Sequence, residues 1–198
     1  MSVPVVAPIV EGHGEVVALP VLLRRISGEL GWPMRIAHPY RAPRANLASP
    51  ERLASLVNNV SADVMGGGGV LVLLDADDDC PLDLRKPLDL AARGSFVNTE
   101  VVLANREFEA WFLASVPSLR AHPTVKSDAA FVGDPDQPRG AKERLEKLMT
   151  ERYRETVHQA KFCNQMDLET AWRNSRSFRR LISALQQLLE VEAPPWTL

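Results

Sequence analysis

Three short stretches of this 198-residue sequence place carboxylates where they could share one ion: Glu11 and Glu15 in VEGHGE, Asp75 and Asp77 in LLDADDD, and Glu107 and Glu109 in NREFEAWF. Asp75 and Asp77 are two apart, so at a strand end both face one side while Ala76 points away. Glu11 and Glu15 are four apart and share a helix face if a helix begins at the turn. Gly12 and Gly14 let the backbone bend sharply there. Carboxylate oxygens from several strand ends suit Mg²⁺ or Mn²⁺. Such ions activate water and stabilise a leaving oxygen at phosphorus. A helix N-terminus beside Glu15 would favour a phosphate. The chemistry indicated is hydrolysis or transfer at phosphorus.

Each stretch alone also has an ordinary reading. A D-x-D is common in solvated acidic turns. EGHGE is also a glycine turn with a capping carboxylate, and its third glycine is missing for a dinucleotide fingerprint. His13 reads as an exposed turn residue. REFEAWFLA also reads as an amphipathic helix with Phe108, Trp111 and Phe112 in the core. The conjunction, each stretch following a strand, favours a site. Asp78 and Asp79 read as supporting or solvated groups.

The elements that would position these acids alternate. VPVVAPIV, MRIAHPY, VLVLL and FVNTEVVLA read as strands. Pro4 and Pro8 blemish the first, since proline cannot donate to a ladder. Helical spacing runs over 15–30, 50–64 and 107–115, and Ser49 stands as an N-cap. A Gly66–Gly69 turn precedes VLVLL. Residues 116–138 read as a loop or lid, and helices follow over about 140–153, 168–174 and 177–191. The pattern predicts an α/β fold, a mostly parallel sheet flanked by helices with a C-terminal helical extension. Its parts are an α/β core over 1–115 and a lid and helices over 116–198 packing on it. In open parallel sheets, ligands bind outside the carboxyl ends of the strands. That rule gathers the acids at one edge.

Composition excludes several classes. Hydrophobic residues are 45% and charged residues 24%, ordinary for a globular chain. The net charge of −2 creates no global field for nucleic acid or membrane. The distribution is uneven. Residues 63–89 carry seven acids and two bases, and residues 139–180 carry eleven bases and six acids. The two regions either face each other or the basic one meets a polyanion. Cys80 and Cys163 have no paired spacing, which fits a reducing compartment. No signal peptide or apolar stretch of membrane-spanning length is evident. The expectation is a cytoplasmic protein with no membrane partner. In the basic part, Ser175, Arg176 and Ser177 could hold phosphate oxygens. They also fit an N-cap on a solvated helix.

PIVEGHGEVVALPVLLRRI, VLVLLDADDD, NREFEAWFLAS and GAKERLEKLM together resemble the TOPRIM fold group. The nearest resemblance is to a TOPRIM-like family catalogued as domain of unknown function 4276. TOPRIM domains occur in topoisomerases, primases and overcoming-lysogenization-defect (OLD-type) nucleases. The resemblance implies that Glu11 is the glutamate after the first strand and that Asp75 and Asp77 are the D-x-D. It implies that Glu15 matches the second glutamate of OLD-type nucleases, and it makes Lys142 the candidate for their phosphate-side lysine. One of Glu107 and Glu109 would be the third acidic position. It further implies a separate ATPase partner, since no ATPase domain is attached. No tyrosine is placed as a topoisomerase nucleophile would be.

Three functions follow as expectations. The first is a Mg²⁺- or Mn²⁺-dependent nuclease acting on nucleic acid, DNA above all, in a prokaryotic defence or DNA-processing system. The second is a haloacid-dehalogenase-like phosphatase or phosphotransferase with Asp75 as nucleophile, although that family carries its D-x-D on the first strand. The third is a non-catalytic module that binds metal or a partner.

Overall fold

The apolar run VVAPIV forms strand β1, Val5–Val10, buried at every position. In this computed structural model residues 2–64, 67–137 and 139–197 are described. Gly66 of the four-glycine turn and Pro138 at the end of the lid segment lie outside the described residues. Helix α1, His13–Leu30, follows β1 directly. The expected second strand is split in two, β2 at Arg35–Ile36 and β3 at Tyr40–Arg41, with Pro39 between them. Then come helices α2, Arg44–Leu47, and α3, Pro50–Val60, which tightens into a 3₁₀ turn over Ser61–Val64. Strand β4 is Gly68–Asp75 and strand β5 is Thr99–Ala104.

The sheet is parallel in the order β2–β1–β4–β5, with β3 continuing beside β1 beyond β2. Pro8 fits this pattern. The carbonyls of Val6 and Val10 accept bonds from Ala37 and Ala42, so alternation turns Pro8 toward the same side. That is where β2 has ended and β3 has not begun, so its missing N–H falls in a gap in the pairing.

Side chains alternate between two apolar layers. Val6, Val10, Leu71 and Leu73 face one, and Val5, Ile9, Val70 and Val72 face the other. Burial on both faces explains why these strands are apolar throughout. Helix α3 and helix α4, Pro81–Arg93, cover the second face. The first is covered by α1, by α5 at Ala110–Ala114, by α8 at Glu155–Gln165 and by α10 at Arg176–Leu189. Gly14 lets α1 and α8 touch: a Cβ there would lie 2.2 Å from Gln159 Oε1.

Several boundaries differ from the sequence reading. Helix α4 was not anticipated. Pro87 interrupts its pattern and only Leu88 and Ala92 are buried. Helix α8 was not anticipated either, because it buries His158 and Gln159 beside Phe162 and Cys163 and so lacks a clean apolar stripe. The helix expected over 140–153 is α7, Ala141–Lys147. It stops where Met149 forms a bridge with Val125. Residues 116–137 open with helix α6, Val116–Leu119, and bury Leu119, Val125 and Ala129 in the layer that holds Leu71 and Val102. Helix α9, Leu168–Asn174, keeps its expected bounds. No helix among the described residues is long and apolar enough to cross a membrane.

Candidate active site

All parallel strands end at one edge of the sheet, and that edge carries the acids. Glu11 lies one residue past β1, Asp75 closes β4, and Glu107 and Glu109 follow β5. Glu15 sits in the first turn of α1, where one carboxylate oxygen accepts the Glu11 and Gly12 N–H groups, each at 3.2 Å. That contact closes the helix start as a capping box does. Asp75 Oδ1 accepts the Phe108 N–H at 2.9 Å, tying the end of β4 to the turn after β5.

Glu107 and Glu109 face different ways. Glu107 Oε2 accepts the Lys142 backbone N–H at 2.8 Å, at the start of α7. Glu109 is buried, accepts the Tyr153 hydroxyl at 2.8 Å, and acts electrostatically on both Glu15 and Asp75. Of the two, Glu109 belongs with the inner acids. The Lys142 ammonium pairs with Glu155 and also feels Glu109 and Glu107.

Burial dominates the electrostatics. It pushes Glu15 up to about 7, helped by Glu109 and Glu11. It pushes Glu109 up to about 7 in spite of the Lys142 ammonium and the Tyr153 hydroxyl. Asp75 stands well above the usual carboxylate range, through burial first and then repulsion from Glu15, Glu109, Glu11 and Asp77. Burial also raises Glu11, with Arg44 opposing it. Burial works against the Lys142 ammonium, but Glu155 and Glu109 outweigh it and hold its pKa above the ordinary value.

One arginine stands among these acids. Arg44 Nη1 donates to the Asp75 carbonyl, lies 3.2 Å from Asp77 Oδ2 and reaches to 3.6 Å from Glu11 Oε2. Its Nη2 pairs with Asp79 at 2.7 Å. Asp78 pairs instead with Arg139 at 2.9 Å, so the acidic and basic regions do meet there. A groove of about 490 Å³ opens between Asp77, Arg106, Glu107 and Arg139.

The donor chemistry fits a hard divalent cation, since every inner group offers carboxylate oxygen. Glu11 Oε2 is buried and has no hydrogen bond. Yet among the described residues no three Asp, Glu, His or Cys side chains form a ready ligand group. Asp75 is turned to Phe108, Glu15 to the backbone, and Arg44 stands between Glu11 and Asp77.

Arg176 and Ser177 line a neighbouring pocket with Cys80, Leu103 and Asn105, but the groups of Ser175, Arg176 and Ser177 already serve an anion of the chain itself. The Asp136 carboxylate accepts the Ser175 and Ser177 hydroxyls at 2.8 and 3.0 Å and the Arg176 N–H at 2.6 Å. Both serines are buried. The Arg176 side chain pairs with Asp134 at 3.2 Å. Arg44, Tyr153 and Asp136 belong to no motif that sequence reading would single out.

The family model described as "Domain of unknown function (DUF4276)" matches residues 10–186. Among solved structures, the chain is similar to the C-terminal region of the Burkholderia pseudomallei OLD protein, at 17% identity and a TM-score of 0.43, over 96% of this chain and 98% of that one. The curated proteins contain no match to this chain.

Proposed function

This chain belongs to the DUF4276 family, and we propose that it is a divalent-metal-dependent nuclease. The observation that carries the reading is the gathering of Glu11, Glu15, Asp75 and Glu109 at one sheet edge, each with its pKa raised by burial. Such a cluster resists ionisation unless a cation joins it. Perturbed acids at the carboxyl ends of parallel strands, where ligands bind in such sheets, make a candidate functional site.

Glu11, Asp75 and Asp77 would hold Mg²⁺ or Mn²⁺, and Glu15 and Glu109 would hold a second ion or orient water. The bound ion supplies an activated water and charge stabilisation at phosphorus. Lys142 faces Glu109 and stays charged, so it can meet the phosphate charge that develops in cleavage. Glu109, near 7, can take and return a proton at neutral pH. Nucleic acid, with DNA favoured, is the substrate class. A separate ATPase partner and a role in prokaryotic defence rest on the family resemblance alone.

An aspartyl phosphotransferase is the weaker reading. A nucleophilic carboxylate must be ionised, and burial among four other acids disfavours that form of Asp75. A phospho-aspartate trapped at Asp75 would reverse the order. A non-catalytic module would bind a partner without turnover.

The test is plasmid cleavage by purified protein in Mg²⁺ and in Mn²⁺, beside Asp77→Ala and a chelator control. Metal-dependent nicking by the wild type alone is expected. Equal rates for Asp77→Ala, or no calorimetric Mn²⁺ binding by the wild type, overturns the proposal.

A further inference from the structure

We propose that Arg44 is a phosphate-positioning residue which the carboxylates hold until a divalent cation takes its place. The proposal rests on the metal-site reading above and assigns a role to a side chain outside the acidic motifs. Arg44 opens α2, where Ala42 before it and Leu47 after it are buried and fix the backbone. Any movement of Arg44 must therefore come from its side chain. It is three-quarters buried, at 26% exposure, and leans over the ends of β1 and β4.

Its contacts are those a cation would seek. Nη1 addresses Glu11 at 3.6 Å, Asp77 at 3.2 Å and the Asp75 carbonyl, and Nη2 addresses Asp79 at 2.7 Å and the Ala76 carbonyl at 3.4 Å. Two of those carboxylates, Glu11 and Asp77, are in the proposed ligand set. A guanidinium cannot lose its charge. An ion bound by Glu11 and Asp77 would lie a few ångströms from it, and like charges at that distance repel strongly in a partly buried site. Entry of the ion therefore requires the guanidinium to leave Glu11 and Asp77. Its planar fork then matches phosphate oxygens two at a time, which an ammonium does not. The same charge that steadies the cluster before metal would hold the nucleic-acid backbone after it.

The experiment compares wild type, Arg44→Gln and Arg44→Lys. Mn²⁺ binding is measured by calorimetry, and binding of a short DNA duplex by fluorescence anisotropy in Ca²⁺. Arg44→Gln should bind Mn²⁺ about tenfold more tightly, because a competing charge is gone. It should bind the duplex about tenfold more weakly once the ion is present. Arg44→Lys keeps a charge and the stem, so it carries the test of the positioning role should Arg44→Gln fail to fold. It should keep wild-type Mn²⁺ affinity yet lose most of the duplex affinity. Equal Mn²⁺ affinity in wild type and Arg44→Gln overturns the displacement. Unchanged duplex affinity in both variants overturns the positioning role. No Mn²⁺ binding by any of the three proteins overturns the metal-site reading and this proposal together.

Discussion

Asp77 and Arg106 hold one another across the edge of the sheet. The Asp77 N–H donates to the Arg106 carbonyl at 2.9 Å, and the Arg106 guanidinium donates to the Asp77 carbonyl at 3.0 Å. Both residues are left-handed, with φ of 47° and 66°. Such backbone costs roughly 1–3 kcal/mol at a residue other than glycine and persists where surroundings enforce it. It sets the Asp77 carboxylate 3.2 Å from Arg44 and within electrostatic reach of Glu11. Asp77→Gly should therefore remove the carboxylate without unfolding the protein, since glycine adopts this φ freely. Its denaturation midpoint should match or exceed that of wild type while Mn²⁺ affinity falls at least tenfold. A large loss of stability would show that the carboxylate, not the turn, holds this edge.

Glu109 should give the metal-free protein an unusual pH dependence. Burial raises its pKa from 4.5 to about 7. Between those values the folded state binds more protons than the unfolded chain. The group's contribution is thus fully present below the unfolded value and is lost as pH rises through the folded one. Glu109→Gln keeps an acceptor for the Tyr153 hydroxyl but removes the titration. In chelator, the variant's stability should gain on wild type as pH rises from 4.5 to 7, by on the order of 3 kcal/mol. Chemical denaturation at several pH values checks this. A difference that does not change with pH would place the Glu109 pKa in the ordinary range.

Lys142 offers a separation of binding from turnover. Its ammonium sits beside Glu155 and faces Glu109, off the Glu11–Asp75–Asp77 set. Lys142→Met should leave Mn²⁺ affinity within about threefold and lower the cleavage rate about a hundredfold or more. Single-turnover cleavage at saturating metal reads the effect. A matching fall in Mn²⁺ affinity would make the lysine a support for the metal site.

Asp136 should matter for stability and not for chemistry. Its carboxylate takes four donors at the start of α10: the hydroxyls of Ser175 and Ser177 and the N–H groups of Arg176 and Ser177. Ser177 in turn accepts the Trp111 indole N–H at 2.8 Å, which links the cap to the core. Asp136→Ala leaves those buried donors unmatched and should cost about 3 kcal/mol. Thermal unfolding measures the loss, and Asp136→Asn should recover part of it. Normal stability in the alanine variant would mean that water replaces the carboxylate.

Much of the sheet was legible because its strands are buried on both faces. VVAPIV and VLVLL admit few readings other than interior strands, and parallel pairing then dictates that Glu11 and Asp75 share an edge. The choice between Glu107 and Glu109 was not legible. It depends on Arg106, whose left-handed turn sends one carboxylate to α7 and the other into the core. Arg44 and Asp136 come from segments with no period of their own, so nothing local to them marks their partners. Ser175 and Ser177 looked open to phosphate because the anion they bind lies 39 and 41 residues away in the chain. Helix α4 escaped notice because Pro87 broke its pattern, and α8 because polar side chains fill its inner face.

The contact at Gly14 bears on how this protein can be divided. Helix α1 carries Glu15, and the helix pressed against it carries Glu155, the partner of Lys142. With room for no side chain at Gly14, and with Arg25 of α1 donating to the Cys163 and Met166 carbonyls at the end of α8, the acids of the first half and the lysine of the second are registered through this one joint between helices. A hybrid that joined residues 1–115 of this chain to the remainder of a relative would inherit a mismatched seam there. The two halves can be exchanged only as a matched pair, so the joint between helices, and not the acidic motif, sets the smallest unit that could be transplanted with its site whole.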